Sequence, residues 1–305
     1  MERAKPHIAI LLANLIYAGN FTIAKFVVPD FILPFGMILI RVTAASAMFW
    51  IVSQFFKKET IEKQDLLRFI ACAFFGVALN QMTFFKGLAQ TNPINPAIMM
   101  TTTPILVLFA SAVLLKEKIS ARKLVGIFMG MGAAVGLLLY GGGSSKFEVT
   151  SETIFGDFLV MINAASYAVY LVISKPLFQK YEPLTVIKWT FTFGIFGVLP
   201  FGGDELLETN FSALTDVAWI SLLYVVIMTT FFAYLFNSWA LKRVSPTIVS
   251  IYIYSQPLLA AIIAVAMGKD EVTVNKVLFA LIIFTGVYLV SMPERKKSSP
   301  KIEEV

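Results

Sequence analysis

The chain has 305 residues, of which 58% are hydrophobic and 14% charged, with a mean hydropathy of +0.78. A soluble domain carries about 25% charged residues, so this chain has too little charge to cover a water-facing surface and too much apolar content for disorder, which leaves an integral membrane protein. One cysteine, Cys72, and one histidine, His7, exclude a disulfide within the chain, a thiolate cluster, a histidine-based triad and a zinc site, and no cofactor or metal is expected.

Apolar runs of about 20 residues, the length needed to cross a bilayer, are expected at 7–28, 33–55, 66–86, 97–115, 124–140, 155–175, 184–201, 218–239, 248–267 and 277–292. Their unbroken length points to helices, because barrel strands are about ten residues of alternating polarity. The first run follows Arg3 and Lys5 as a signal peptide would. It is too long for one, and Val28-Pro29-Asp30 is no cleavage site, so it reads as a retained first helix. The longest connection, 141–154, divides the chain almost in half. Its Gly141-Gly142-Gly143-Ser144-Ser145-Lys146 lacks both the ending and the strand-to-helix setting of a phosphate loop.

With the N-terminus placed in the cytoplasm, 19 basic residues fall on the cytoplasmic side and five on the other, and Arg41 lies inside a span. That asymmetry predicts an even number of helices with both termini cytoplasmic. The net charge of +6 then reports topology, and no nucleic-acid partner is expected. The basic runs at 57–63 and 295–297 fit orientation and attraction to anionic lipid.

The two halves show a weak repeat. Tyr17-Ala18-Gly19-Asn20 through Lys25 lies over Tyr167-Ala168-Val169-Tyr170 through Lys175 at a shift of 150. Pro93 and Pro104 lie over Pro246 and Pro257 at 153, and Glu117 over Glu271 at 154. A repeat of five helices re-enters the membrane from the opposite face, the inverted arrangement of many secondary transporters, with the substrate site near the midplane between the halves.

At these residues the chain resembles the EamA family of the drug/metabolite transporter superfamily. Tyr17-Ala18-Gly19-Asn20-Phe21 with Lys25 is similar to its W-G-x-N-F…K pattern, and Ser166-Tyr167-Ala168 to the S-W-A of the second repeat, with Tyr in place of Trp both times. Pro34…Arg41, Gly87-Leu88-Ala89…Pro104…Glu117 and Ala240-Leu241-Lys242…Pro257…Glu271 also fit. The resemblance implies an all-α polytopic membrane protein of ten transmembrane helices in two inverted five-helix repeats, in the plasma (inner) membrane. These are a first repeat at 1–143, a second at 154–293 and a cytoplasmic tail at 294–305. It further implies export or exchange of small metabolites such as amino acids, without fixing the substrate.

Polar groups in a membrane helix are costly unless partnered, so they are candidates for the substrate pathway. Asn14, Tyr17, Asn80, Gln81, Asn163, Tyr167, Asn237 and Gln256 make up this set; the alternative for each is a hydrogen bond that joins helices. Asn14, Tyr17 and Phe21 share helical spacing, as do Asn163, Tyr167 and Tyr170. Pro104 and Pro257, read as helix-interior prolines, are candidate hinges or gates, with the polar groups of Thr101-Thr102-Thr103 and Tyr254-Ser255-Gln256 beside them. Arg41 is a candidate anion contact. A structural role, pairing with a carbonyl, is the favoured alternative, because the family pattern keeps a basic residue there across unlike substrates.

No Asp or Glu lies deep in an expected span; Asp157 and Asp216 stand at helix starts. This disfavours a cation/proton antiporter built on a buried carboxylate and favours neutral, zwitterionic or apolar substrates. The small-residue stripes Gly126, Gly130, Ala134 and Gly132-x-x-x-Gly136 suit close helix packing, within a monomer or across a homodimer. The expected partners are therefore a small-molecule substrate and the lipid bilayer. A membrane-embedded enzyme would lack its nucleophile and base, and a non-transporting sensor or scaffold would lack a soluble output domain.

Overall fold

The computed structural model describes residues 4–91, 94–140, 151–266 and 271–292, except the side chains of residues 21, 22, 25, 94 and 264. The described residues form ten long helices. The first five are α1 (Lys5–Ile23), α2 (Pro34–Ser53), α3 (Lys63–Gln90), α4 (Asn95–Leu114) and α5 (Ala121–Tyr140). The second five are α6 (Ser151–Lys180), α7 (Pro183–Glu208), α8 (Asp216–Leu241), α9 (Pro246–Ile263) and α10 (Val274–Ser291). By length and composition, α2 to α10 can each cross a membrane. α1, with 19 residues, rises about 28 Å and packs among them. The connections at 92–93, 141–150 and 267–270, and the tail from 293, lie outside the described residues, as do the expected loop lysines Lys146 and Lys269.

Local sequence sets the helix starts. Pro34, Pro183 and Pro246 stand in first turns, where a missing N–H costs nothing. The side chains of Thr215, Ser245 and Thr273 accept from the amides of Ala218, Ile248 and Lys276 at the starts of α8, α9 and α10. The cap of α2 comes from another helix: Glu205 Oε2 of α7 accepts from the amides of Phe35 (2.6 Å) and Gly36 (2.8 Å). The sequence ends this span at 201, where the apolar run stops. The helix continues to Glu208 because its backbone bonds do not depend on the polarity of the side chains.

Exchanging the halves maps the packing onto itself. α2 lies against α7, and α5 against α10; α3 on α6 is matched by α8 on α1, α4 on α6 by α9 on α1, and α3 on α7 by α8 on α2. An odd number of helices per half makes this an inverted repeat. Glycines bring the contacting backbones together. A Cβ on Gly87 of α3 would lie 2.7 Å from the carbonyl oxygen of Gly156 in α6, and one on Gly126 of α5 would lie 2.8 Å from that of Gly286 in α10. The Gly126–Gly130 stripe is thus turned inward, against α10 and against Tyr254 of α9. Gly136 meets Phe279 of α10, whereas Gly132 has nothing within 4 Å.

The surface inverts the rule for soluble proteins. Phe55, Phe158, Leu207 and Ile220 are more than half exposed, while Asn14, Arg41, Asn80 and Asn163 are buried. Lipid solvates the former, and the latter must find partners inside.

Two irregularities also repeat. α3 widens to π-helix at Phe74–Ala78 and α8 at Tyr224–Phe232, positions that overlap at the 153-residue shift. α4 turns at Thr101 and Thr102 before resuming at Thr103, and α9 tightens to a 3-10 turn at Tyr252–Tyr254 before resuming at Ser255. Pro104 and Pro257 are therefore not helix-interior prolines: each stands in the first turn of a second helical segment. The ring cannot coexist with the carbonyl one turn back, so the chain breaks ahead of it.

Candidate functional site

Both halves converge on one buried cavity of about 100 Å³. The π-helical turn of α8 stands beside it, with Thr229 on the wall. The structure brings together all eight residues expected on a substrate pathway. Asn14 and Tyr17 come from α1, Asn80 and Gln81 from α3, Asn163 and Tyr167 from α6, Asn237 from α8 and Gln256 from α9. Arg41 of α2 and Asn20 join them. The prolines do not line the cavity; Met100 and Gln256, next to the two breaks, do. Of the hydroxyls expected beside the prolines, those of Thr101, Thr102 and Ser255 bond to their own backbone, Thr101 Oγ1 to Ile98 O at 2.6 Å and Ser255 Oγ to Tyr252 O at 2.6 Å, while Thr103 Oγ1 and Tyr254 OH are buried with no partner among the described residues. Tyr170 faces α3, packed over Gly76. The side chain of Phe21 lies outside the described residues.

Hydrogen bonds fix how the amides face. Asn14 Nδ2 donates to Ile10 O (2.8 Å), so Asn14 Oδ1 is the acceptor for Gln256 Nε2 (2.8 Å). Asn163 Nδ2 donates to Asn80 O (2.8 Å), and Asn80 Nδ2 donates back to Asn163 O (3.3 Å). Gln81 Nε2 donates to Tyr234 OH (3.5 Å), which donates to Gly76 O (3.4 Å). Each of these residues thus joins helices. Yet the side-chain oxygens of Asn20, Gln81, Asn163 and Asn237 are buried with no hydrogen-bond partner among the described residues. Such oxygens are rare in native interiors and call for an explanation. Four of them on one cavity make it rich in acceptors.

Arg41 supplies the opposite character. Its Nε donates to Thr230 Oγ1 of the π-helical turn (2.8 Å), and its guanidinium lies 4.9 Å from the centre of the Phe85 ring. Thr230 Oγ1 in turn donates to Val225 O (2.7 Å), five residues back. The Nε bond anchors the side chain, as the structural reading of Arg41 expects, and leaves the two terminal nitrogens of the fork for another partner. No Asp or Glu lines the cavity among the described residues.

Sequence inspection misses Phe84, Phe85, Thr229, Tyr234, Val249 and Ile253 on the cavity wall. One signal was available: the 153-residue shift lays Gln81 over Tyr234 and Phe84 over Asn237, so repeat mapping from one polar wall finds the other. The motif lysine Lys175 is outside the cavity. Its Nζ donates to Leu241 O (2.6 Å) and Val244 O (2.8 Å), capping the end of α8. Glu117 likewise works at a helix junction, accepting from Thr247 Oγ1 of α9 (3.3 Å) and lying 3.8 Å from Lys123 Nζ.

The EamA-like transporter family profile matches residues 4–139 and 154–292, nearly the whole chain in two copies. The chain belongs to the EamA-like transporter family. An uncharacterized transporter of Archaeoglobus fulgidus is 28% identical over 298 residues, 96% of this chain and 99% of its own. The uncharacterized transporter YyaM of Bacillus subtilis is 23% identical across 95% of both chains. A WAT1-related protein of Arabidopsis thaliana is 22% identical over 95% of this chain and 86% of its own. A chain of known crystal structure superposes with a TM-score of 0.75 at 17% identity, covering 94% of this chain and 96% of that one, which establishes the shared fold. The protein is a polytopic membrane transporter of this family.

Proposed function

We propose that this EamA-like transporter exports or exchanges small zwitterionic metabolites such as amino acids by alternating access between its two inverted repeats, 1–143 and 154–293, ahead of a tail at 294–305. The observation that carries this reading is the pairing of Arg41 with four unpartnered amide oxygens around one buried cavity. The terminal nitrogens of the guanidinium fork suit a carboxylate. The oxygens of Asn20, Gln81, Asn163 and Asn237 suit an ammonium, which has three protons to donate and no means to accept. A volume of about 100 Å³ equals that of roughly three waters at about 30 Å³ each, the scale of the smallest amino acids. The absence of a carboxylate from the described wall argues against an isolated cation as substrate.

In this reading the halves rock about the breaks at Pro104 and Pro257, and the lysine-rich end of the bundle faces the cytoplasm of a plasma membrane. Proteoliposomes loaded with one unlabelled amino acid at a time, and assayed for uptake of the labelled one, test it. Internal amino acid that accelerates uptake supports an exchanger of this class. Uptake equal to that of empty liposomes across all twenty amino acids overturns the substrate assignment, and flux of no small solute at all supports a sensor or scaffold.

A further inference from the structure

A second cavity of about 1340 Å³ lies at the end of the bundle that carries the lysine-rich segments. Leu235, Phe236 and Trp239 of α8 form its floor; α1 makes one wall, and the adjoining ends of α2 and α7 the other. Ile8 and Leu12 on the α1 wall are 56% and 44% exposed, so the groove faces the bilayer sideways. It is separate from the central cavity, and no side chain lines both. Between them Ala13, Ile16 and Ala233 pack together, with Tyr17 of the central cavity and Phe236 of the groove against them.

The groove has an apolar depth and a cationic head. Trp50 and Trp189 meet edge to face at 5.3 Å. Lys188, only 8% exposed, holds its Nζ 4.3 Å from the centre of the Trp50 ring and 3.4 Å from Ser53 Oγ. No carboxylate lies within ion-pair distance of it among the described residues. Lys57 and Lys58 stand exposed at the lip. The two acids of the groove are engaged elsewhere: Glu182 Oε1 is 2.8 Å from Lys242 Nζ, and Glu59 Oε2 accepts from the amide of Glu182 at 2.9 Å. Glu59, on the same groove, acts on Lys188 through space without forming an ion pair, so the buried ammonium keeps a desolvation cost that an anion entering from the side offsets.

We propose that this groove binds an anionic phospholipid, its phosphate held by Lys188 with Lys57 and Lys58 and its acyl chain lying over the α8 floor between α1 and α7. Basic pockets between membrane helices recognise anionic headgroups by this chemistry. The site is distinct from the transport cavity.

The test uses the full-length protein in detergent, with lipid adducts counted by native mass spectrometry and thermal stability followed as lipid is added. Phosphatidylglycerol is expected to bind at least tenfold more tightly than phosphatidylcholine of the same chain length. Lys188→Met should reduce that preference at least fivefold, and Lys188→Arg should restore most of it. Lys57→Ala combined with Lys58→Ala, both exposed, carries the same test if Lys188→Met does not fold. Equal binding of the two lipids by the wild type, or an undiminished preference in the variants, overturns the proposal. Glycerol 3-phosphate that displaces the lipid at equal concentration overturns the lipid assignment in favour of a soluble phosphate ester. None of these readouts depends on which substrate the central cavity carries or on which end is cytoplasmic, so a failure here is separable from a failure of the transport reading.

Discussion

The side chains of Asn80 and Asn163 each donate to the other's backbone carbonyl, at 3.3 Å and 2.8 Å. This reciprocal bond joins α3 of one half to α6 of the other at the cavity wall and leaves Asn163 Oδ1 without a partner among the described residues. One residue thus holds the halves in register and offers an acceptor. Asn163→Ala removes its own donated bond and the acceptor, and leaves the Asn80 bond to the backbone carbonyl of residue 163 in place. An interhelical bond of this kind is worth about 0.6 kcal/mol, so insertion and folding should survive with a small loss of thermal stability. Losing one hydrogen bond of about 1 kcal/mol to the substrate should cost about fivefold in apparent affinity. Flux and affinity equal to wild type in liposomes, at matched protein level, would remove Asn163 from the substrate pathway.

Arg41 separates two meanings of a basic residue. If only charge matters, Arg41→Lys is harmless. Here Nε is spent on Thr230 and the plane rests on Phe85, so only a guanidinium both anchors and presents a fork. Arg41→Lys should reduce amino-acid uptake about tenfold or more, the effect of losing roughly 1.4 kcal/mol. Decarboxylated analogues should lose less than the amino acids themselves. An equal loss for both would assign Arg41 to scaffolding alone.

Gly130 and Gly132 make a matched pair. A Cβ on Gly130 would sit 2.3 Å from the buried Tyr254 ring, whereas one on Gly132 meets nothing within 4 Å. Gly130→Ala should destabilise by about 1–3 kcal/mol, the usual range for overpacking, and Gly132→Ala should be close to neutral. Combining Gly130→Ala with Tyr254→Leu should recover part of the loss. Melting curves in detergent read all three, and an unaffected Gly130→Ala would show that α5 and α9 separate at no cost.

Glu205 caps α2 from α7. Losing an N-cap costs typically about 1 kcal/mol, and Glu205→Ala should do so, while Glu205→Gln, which keeps an acceptor oxygen, should lose less. Equal melting temperatures for Glu205→Ala and wild type would show that water replaces the cap.

Much of this was legible in the sequence because membrane and repeat both impose strong patterns. The spans follow from hydropathy, the inversion from five helices per half, and the eight polar cavity residues from the cost of a buried polar group. What was not legible has physical reasons. Phe85 and Ile253 look like any other lipid-soluble side chain, and only packing turns them toward the cavity. The π-helical turns leave no signature in composition. The broken helices of α4 and α9 moved Pro104 and Pro257 from helix interiors to helix starts, since a proline's neighbours decide where the break falls. Gly126 gave no sign of whether it faced a second copy or Gly286 of its own chain.

Arg41 is the eighth residue of α2, counted from Pro34, and its counterpart eight residues into α7, from Pro183, is Thr190. The backbone obeys the pseudo-twofold exchange and this pair does not. A zwitterion held between guanidinium and amides therefore has one heading, anionic end toward α2, whichever face of the membrane is open. In the proposed cycle the two halves swing alike, but the cargo does not turn over, and its affinity need not be equal on the two sides.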